Sequence, residues 1–102
     1  MRTAPLFFAL GDPTRLALVA LLSSGGPVSV SRLADRVEVS RQAVSKHLEV
    51  LNQVGLVVSR REGRERIWEL KPKGLEEARG FLDGIEEQWD GALERLKRWV
   101  EE

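Results

Sequence analysis

This sequence predicts a mainly α-helical domain with one small β-hairpin, and three observations support that fold class. In residues 12–55, apolar residues recur at helical spacing between clear start and stop signals. Residues 56–70 then change to the two-residue period of strands around a glycine. From Pro72 the helical spacing returns and holds to the end of the chain. A length of 102 residues fits a single domain, residues 1–102, with one small core.

The first predicted helix begins at Asp12, an N-cap residue, with Pro13 at the first helical position. It runs through a leucine-rich stretch and stops at Gly25-Gly26-Pro27. Because it is too apolar for a surface element, we expect it to be central to the core. The short apolar segment 3–10 precedes it.

Two further helices are predicted before residue 55. Ser29 or Ser31 caps a short one, in which Leu33, Ala34 and Val37 recur at helical spacing. Ser40 caps the next, at about residues 40–54, with Gly55 as its stop. Its predicted buried stripe is Val44, Leu48 and Leu51, and its outer face carries Arg41, Gln42, Ser45, Lys46, Glu49 and Asn52.

The segment at about residues 56–70 is the predicted hairpin. Gly63 supplies the positive φ that a tight turn requires, and arginines crowd the tip. Trp68 and Leu70 alternate with Ile67 and Glu69, so one face of the second strand can pack on the helices.

The last predicted helix, at about residues 72–102, has more apolar surface than one small domain can cover. Its stripe follows a three-four spacing over more than three heptads. We expect a homodimer joined through this helix, and the segment 3–10 is a second candidate for the same interface. The alternatives are packing within one chain and a small-molecule pocket at the dimer interface. The predicted dimer-interface residues are Leu82, Ile85, Trp89, Ala92, Leu96 and Trp99.

Composition removes several classes of function. The chain has no cysteine and one histidine, which excludes disulfides, thiolate nucleophiles, cysteine-bound zinc and a histidine cluster within one chain. Its longest apolar run, residues 16–22, is far shorter than a membrane span, and no secretory signal pattern is present. We therefore expect a cytoplasmic protein with no membrane partner. We also expect no enzymatic activity, no cofactor and no metal site.

The charge is zero overall but unevenly placed. Residues 29–66 hold eight Lys/Arg against five Asp/Glu, a balance of +3, whereas residues 71–102 hold six against nine, a balance of −3. An anionic partner is therefore expected to meet the middle of the chain.

Two helices joined by a short turn, followed by an arginine-tipped hairpin, make a winged helix-turn-helix. The second of the two helices can enter the DNA major groove, which is about 12 Å wide, and present its first turns to the base edges. Gln42 can bond adenine, Ser45 can bond several bases, and Arg41 or Lys46 can reach guanine or phosphate. The hairpin would then lie beside the minor groove or the backbone.

The sequence also resembles the ArsR-type bacterial transcriptional regulators over about residues 5–82. The motifs that carry the likeness are ALGDPTRL, SRQAVSKHLEVL, GLV and RREGR. The resemblance implies a dimeric winged-helix protein that represses, less often activates, transcription at an inverted-repeat operator in double-stranded DNA. Carried over to this chain, the expected DNA-binding residues are Ser40, Arg41, Gln42, Ser45, Lys46, His47, Arg61, Arg64 and Arg66.

The chain departs from the metal-sensing members of that family. Where those members commonly carry two cysteines before the recognition helix, this chain has Val28-Ser29-Val30-Ser31-Arg32. Its last helix offers carboxylates but no histidine. Sensing of zinc, nickel, copper or arsenic is therefore not expected, whereas binding of a hard cation by these carboxylates stays open. The sequence identifies no effector ligand.

Other interpretations stay open at this point. His47 is either a half-buried residue with one hydrogen bond inside the protein or a DNA contact, and no partner group suggests catalysis. The arginines at 60–66 could form a solvated turn. The whole domain could instead bind only other proteins, or a metal or redox signal could switch it.

Overall fold

The computed structural model describes residues 3–101, so residues 1, 2 and 102 of the predicted domain lie outside the described part. The structure is mainly helical with a small antiparallel sheet, which confirms the predicted fold class. In chain order its elements are α1 (Thr3–Leu10), α2 (Pro13–Gly25), β1 (Val28–Ser29), α3 (Val30–Ala34), α4 (Arg41–Gln53), β2 (Val57–Glu62), β3 (Glu65–Leu70) and α5 (Pro72–Glu101). The apolar segment before Gly11 is thus a helix of its own.

Side-chain caps fix where the helices begin. The backbone N–H of Arg15 donates to Asp12 Oδ2 over 3.0 Å at the start of α2, and that of Ala43 donates to Ser40 Oγ over 3.1 Å at the start of α4. Of the two serines considered for α3, Ser29 is the cap. Gly55, directly after α4, has a φ of 80°, a left-handed conformation that favours glycine.

The sheet has three strands in the order β1-β3-β2, one more than the hairpin that the sequence predicts. β1 pairs with the central strand β3, with Val28 opposite Trp68. In the hairpin, Glu62 pairs with Glu65, so Gly63 and Arg64 form the turn, and Gly63 has a φ of 63°. Hereafter the wing means β2, β3 and this turn.

One core joins the helices to the underside of the sheet. Val44, Leu48 and Leu51 of α4 are fully buried, as predicted, and Trp68 is 1% exposed. As expected, α2 is central to the core through Leu18, Val19 and Leu22, but its Leu16 is 54% exposed. A 13-residue helix packed from one side necessarily turns part of its circumference to solvent.

The first turns of α5 pack closely against the domain body. Gly74 is buried, and a β-carbon built there would overlap the Gly55 carbonyl oxygen, so a side chain does not fit. Two turns further on, the Phe81 ring lies 5.5 Å, centroid to centroid, from the ring of Phe7 in α1. These contacts fix α5 to α1 and to the end of α4.

Beyond Phe81 the helix extends away from the body, and the molecule measures 68 × 25 × 23 Å. Leu75 packs against the core and Ala78 is buried, so packing within one chain accounts for the start of the stripe only. Among the predicted interface residues, Trp89 is 65% and Trp99 76% exposed; Leu82 and Leu96 are also exposed, and Ile85 and Ala92 are half-buried.

No single helix within residues 3–101 is long and apolar enough to cross a membrane. Two short helices, Ala4–Leu10 and Pro13–Gly25, reach that length and composition only when taken together, and the chain bends by 92° between them.

Candidate nucleic-acid interface

The outer face of α4 is a row of hydrogen-bonding side chains that points away from the protein. Arg41, Gln42 and Lys46 are exposed, and Ser45 is half-buried between them and the core. The face is directed outward because Val44, Leu48 and Leu51, on the opposite side of the same helix, lie in the core. Within residues 3–101 no ion pair engages Arg41 or Lys46.

Ser40 stands at the N-terminal end of this row. Its oxygen accepts the capping hydrogen bond of α4, and the residue is exposed. The hydroxyl proton of a serine that accepts a hydrogen bond remains free to donate. Ser40 can therefore cap the helix and donate to an external oxygen at the same time.

The arginines of the wing fall into two groups. Arg60 is paired with acids of the wing itself, with its Nη1 3.0 Å from Glu69 Oε1 and its Nε 3.6 Å from Glu62 Oε1. Arg61 and Arg64 are exposed and have no ion pair within residues 3–101. Arg66 is also exposed and donates from Nη1 to Ser59 Oγ over 2.8 Å. Their exposure is compatible with both alternatives, a solvated turn and a DNA contact, and among these arginines only Arg60 is neutralised by acids within residues 3–101.

Two of these arginines face each other across the hairpin. Arg61 pairs with Arg66 in the register of β2 and β3, which puts both side chains on the same face of the sheet. Like charges directly opposite each other in a sheet destabilise it. An anion placed over this pair would remove that cost, so the wing tip is suited to a phosphate backbone.

His47 lies at the flank of α4, between the buried stripe and the outer face. Its Nδ1 is 3.3 Å from Arg15 Nη1 and 3.8 Å from Asp12 Oδ2, and its side chain is 23% exposed. This is the geometry of the first alternative considered for His47, a half-buried residue that is hydrogen-bonded inside the protein. The same ring nitrogen is not available for DNA while Arg15 holds it.

Asp12 adds a negative charge to this cluster. The hydrogen bond from the Arg15 backbone N–H lowers the pKa of the Asp12 carboxyl below its ordinary 3.8. Partial burial opposes that shift, and the charges of His47, when protonated, and of Arg15 reinforce it. Asp12 is therefore ionised at neutral pH, beside the guanidinium of Arg15.

The sequence interpretation missed Arg15, which lies 32 residues before its partner His47. One signal was present. Arg15 occupies the third position of α2, where the positive end of the helix dipole disfavours a cation. An arginine at such a position indicates a side chain that is held by acceptors elsewhere, and here one of them is the Ala9 carbonyl oxygen, 2.7 Å from Nε.

The side chains of this surface are suited to binding a nucleic acid. The surface presents cations, an amide and hydroxyls, all suited to phosphate oxygens and base edges. Within the described part of the chain, no group of three or more His, Cys, Asp or Glu residues is placed to hold a metal ion.

Comparison with known proteins places this surface in context. Residues 10–60 match a family described as a helix-turn-helix domain. The chain is 47% identical over 85 residues to the HTH-type transcriptional regulator Rv2034 of Mycobacterium tuberculosis, covering 83% of this chain and 76% of that protein. It is 37% identical over 67 residues to the arsenical resistance operon repressor of Escherichia coli, covering 66% of this chain and 57% of the repressor.

A solved structure supports the same placement. The ArsR-like transcriptional regulator from Rhodococcus sp. RHA1 superposes with a TM-score of 0.80 at 37% sequence identity, covering 95% of this chain and 91% of that one. The likeness therefore includes the wing and most of α5 as well as the helix-turn-helix. The proteins similar to this chain are regulators of transcription and not enzymes.

Proposed function

Because this chain belongs to the ArsR family of helix-turn-helix transcriptional regulators and is therefore a DNA-binding regulator, we propose that it is a homodimeric repressor of an inverted-repeat operator. Each α4 reads one half-site in the major groove, and each wing contacts the adjoining backbone. In a twofold dimer the two reading helices lie about one duplex turn, roughly 34 Å, apart.

The observation that carries this proposal is the exposed outer face of α4 beside the wing. A DNA-reading helix needs its hydrogen-bonding groups in solvent and its opposite face fixed by the core. Here Arg41, Gln42 and Lys46 are exposed over the buried stripe of the same helix. A module that binds only proteins would instead favour a surface depleted in such charge at its centre.

The proposed division of labour follows from the geometry of each group. Gln42 and Ser45, in the first turns of α4, are assigned to base edges, and Ser40, Arg41 and Lys46 to phosphates or to guanine. Arg61, Arg64 and Arg66 are assigned to the backbone next to the half-site. His47 is not assigned a DNA contact, because Arg15 already engages its Nδ1.

We expect Gln42→Ala to relax base preference at one position of each half-site, with a loss of about 1–3 kcal/mol of discrimination. Arg64→Ala is expected to weaken all duplexes alike and to lower the slope of log affinity against log salt by about 1, because it removes one phosphate contact. Anisotropy titrations over a panel of operator variants and salt concentrations measure both effects.

Two exposed residues away from the proposed DNA surface provide matched controls. Gln53→Ala, at the far end of α4, and Arg79→Ala, on α5, remove the same side-chain types and are expected to leave the whole panel unchanged. If Gln42→Ala and Arg64→Ala gave identical profiles, the division between base and phosphate contacts would be wrong. If the wild type retained no duplex at all, the assignment of α4 as a DNA-reading helix would fail.

We propose that α5 forms the dimer interface. Its stripe from Leu82 to Val100 is the largest run of exposed apolar side chains in the described residues, with Leu93 and Leu96 more than half exposed. A stable protein interface buries about 800 Å² on each partner. Large exposed apolar patches mark sites of protein association, and a second copy of the chain would cover this stripe.

Charge along α5 favours an antiparallel pair. Residues 76–90 carry six acids and one base, a net −5, whereas residues 91–101 carry three bases and two acids, a net +1. An antiparallel arrangement places the acidic part of one helix against the basic part of the other. Gly91 and Ala92 at the centre are small enough to allow a close approach.

A cross-linking experiment tests the direction of pairing. Glu86 and Lys97 are eleven residues apart, about three helical turns, so they lie on the same flank of the stripe. In an antiparallel pair centred near Ala92, Glu86 therefore lies opposite Lys97 of the partner subunit. Since the chain contains no cysteine, single substitutions give unambiguous cross-links.

A mixture of Glu86→Cys and Lys97→Cys chains is expected to form disulfide-linked heterodimers under mild oxidation, and neither variant alone is expected to cross-link efficiently. Non-reducing electrophoresis with differently tagged chains measures the products. Efficient linkage of either variant with itself would indicate a parallel pair and contradict this arrangement.

A further inference from the structure

The side chain of Arg15 joins three helices. Its backbone belongs to the first turn of α2, its Nε donates to the carbonyl oxygen of Ala9 in α1 over 2.7 Å, and its Nη1 lies 3.3 Å from Nδ1 of His47 in α4. Asp12 Oδ2, which accepts from the Arg15 backbone N–H, stands 3.8 Å from the same ring nitrogen. We refer to the Arg15 side chain with its two acceptors, the Ala9 carbonyl oxygen and His47 Nδ1, as the Arg15 clamp.

Each contact of the clamp has a physical reason. The last carbonyls of α1 have no partner within that helix, and they form the negative end of its dipole. A guanidinium suits that site, and hydrogen bonds from a charged donor are stronger than neutral ones. Ala9 itself is fully buried, so its carbonyl is a fixed anchor point in the core.

The hydrogen bond from Arg15 defines the tautomer of His47. A guanidinium only donates, so His47 Nδ1 must carry a lone pair, and the proton of the neutral ring must be on Nε2. His47 stands on the flank of α4, immediately after Lys46 of the outer face and before the buried Leu48. A hydrogen bond at the flank of a helix opposes rotation about the helix axis, and so adds to the restraint that packing of the buried stripe provides.

Such rotation matters for reading DNA. Side-chain tips on a helix lie about 5–6 Å from its axis, so a turn of 20° moves each by about 2 Å. Displacements of that size separate a good hydrogen bond to a base edge from none. The position of α4 relative to the rest of the chain therefore sets how well the two half-sites are read.

The other end of the clamp is on the helix nearest to the proposed dimer interface. α1 is held to α5 by the Phe7–Phe81 ring contact, and its Phe8 is 77% exposed. We propose that Arg15 is a positioning residue for DNA reading, which fixes α4 relative to α1 and hence relative to the dimer axis. This inference rests on the proposed function and adds to it a residue that does not itself touch DNA.

The test compares Arg15→Lys with His47→Leu and with the double variant. Lysine keeps the charge but cannot span both acceptors with a fixed fork, and leucine removes the acceptor. Each single variant is expected to bind the matched operator on the order of tenfold more weakly, and the double variant no more weakly than either, because both substitutions break the same contact. Affinity for non-specific duplex is expected to stay unchanged, since it depends on phosphate charge.

His47→Gln, which restores an acceptor at that position, is expected to recover part of the operator affinity. Arg79→Lys, an exposed arginine on α5, is the matched control and is expected to have no effect. Thermal unfolding midpoints of all variants, measured alongside, separate loss of positioning from loss of fold.

A second measurement needs no variant. Because His47 is the only histidine, nitrogen-15 NMR of the imidazole reports on one residue, and the neutral ring is expected to carry its proton on Nε2 and not on Nδ1. The opposite tautomer would overturn the proposal. Three binding results would also overturn it. The affinity losses of the two single variants could multiply in the double variant, the losses could be equal on operator and on non-specific duplex, or neither single variant could lose affinity. Failure of the wild type to prefer its operator would instead refute the proposed function, and the clamp proposal with it.

Discussion

Leu96→Glu is expected to separate the dimer into monomers and to weaken binding to the full operator by about 100- to 10,000-fold. The two DNA-reading helices of one dimer bind the two half-sites of a palindrome as a linked pair. The expected range is the typical gain in affinity from such linkage. A carboxylate in place of Leu96 would be buried without a partner in the paired state, which is strongly unfavourable. Glutamate is nevertheless a good helix former, so α5 itself should stay intact.

The exposure of Leu96 makes this variant informative. The side chain is 56% exposed in the single chain and lies outside the core, so the substitution removes little that stabilises the domain body. The loss of operator affinity should therefore come from dissociation. Sedimentation velocity and anisotropy titrations with full-operator and half-site duplexes measure the two quantities separately.

Arg98→Glu is the control. Arg98 is exposed, and because it lies two residues after Leu96 it is on the opposite side of the helix. It is expected to remain dimeric. Half-site affinity should be the same for Leu96→Glu and the wild type. A Leu96→Glu protein that stayed dimeric, or a monomer that bound the full operator as tightly as the wild type, would remove α5 as the interface.

Trp68→Ala is expected to lower the free energy of unfolding by about 3–5 kcal/mol, as large-to-small changes of buried aromatic residues do. Trp68 is on the central strand, between β1 and β2, and its 1% exposed ring fills the space between the sheet and the helices. Small domains are stable by only about 5–15 kcal/mol, so this one change removes a large share of the total.

Trp68→Phe is expected to cost much less, about 1–2 kcal/mol, because it retains most of the ring. It also removes the indole N–H, whose Nε1 is buried and has no hydrogen-bond acceptor within residues 3–101. Urea unfolding followed by far-ultraviolet circular dichroism, at one fixed protein concentration, gives the free energy of unfolding of the wild type and of each variant. Leu16→Ala, an exposed leucine in α2, is expected to change the free energy by no more than about 0.5 kcal/mol. Equal losses for Trp68→Ala and Leu16→Ala would contradict the position of Trp68 in the core.

Features that depend on near neighbours in the chain were predictable. The caps at Asp12 and Ser40 and the positive φ of Gly63 each depend on a few consecutive residues, and the structure has all three. The buried stripe of α4 follows from its 3.6-residue period. That period also fixes which side chains of α4 face outward, so the exposure of Arg41, Gln42 and Lys46 could be read from the sequence.

The rest depended on partners distant in the chain. β1 has two residues and exists as a strand only because β3, almost forty residues later, supplies its hydrogen bonds. The exposure of Leu16 depends on which side of α2 the other helices cover. The destination of the Arg15 side chain depends on where α1 ends and α4 passes.

For this protein, the sequence alone determined the type and ends of most elements, the polar face of α4, the arginines of the wing and the apolar stripe of α5. Local propensity, capping and periodicity act over a few consecutive residues, so their effects can be predicted from the sequence. The tertiary structure decided that, within residues 3–101, Arg60 forms ion pairs while Arg61 and Arg64 form none, and that His47 is held by Arg15. Those outcomes depend on distances between side chains that only the folded chain brings together.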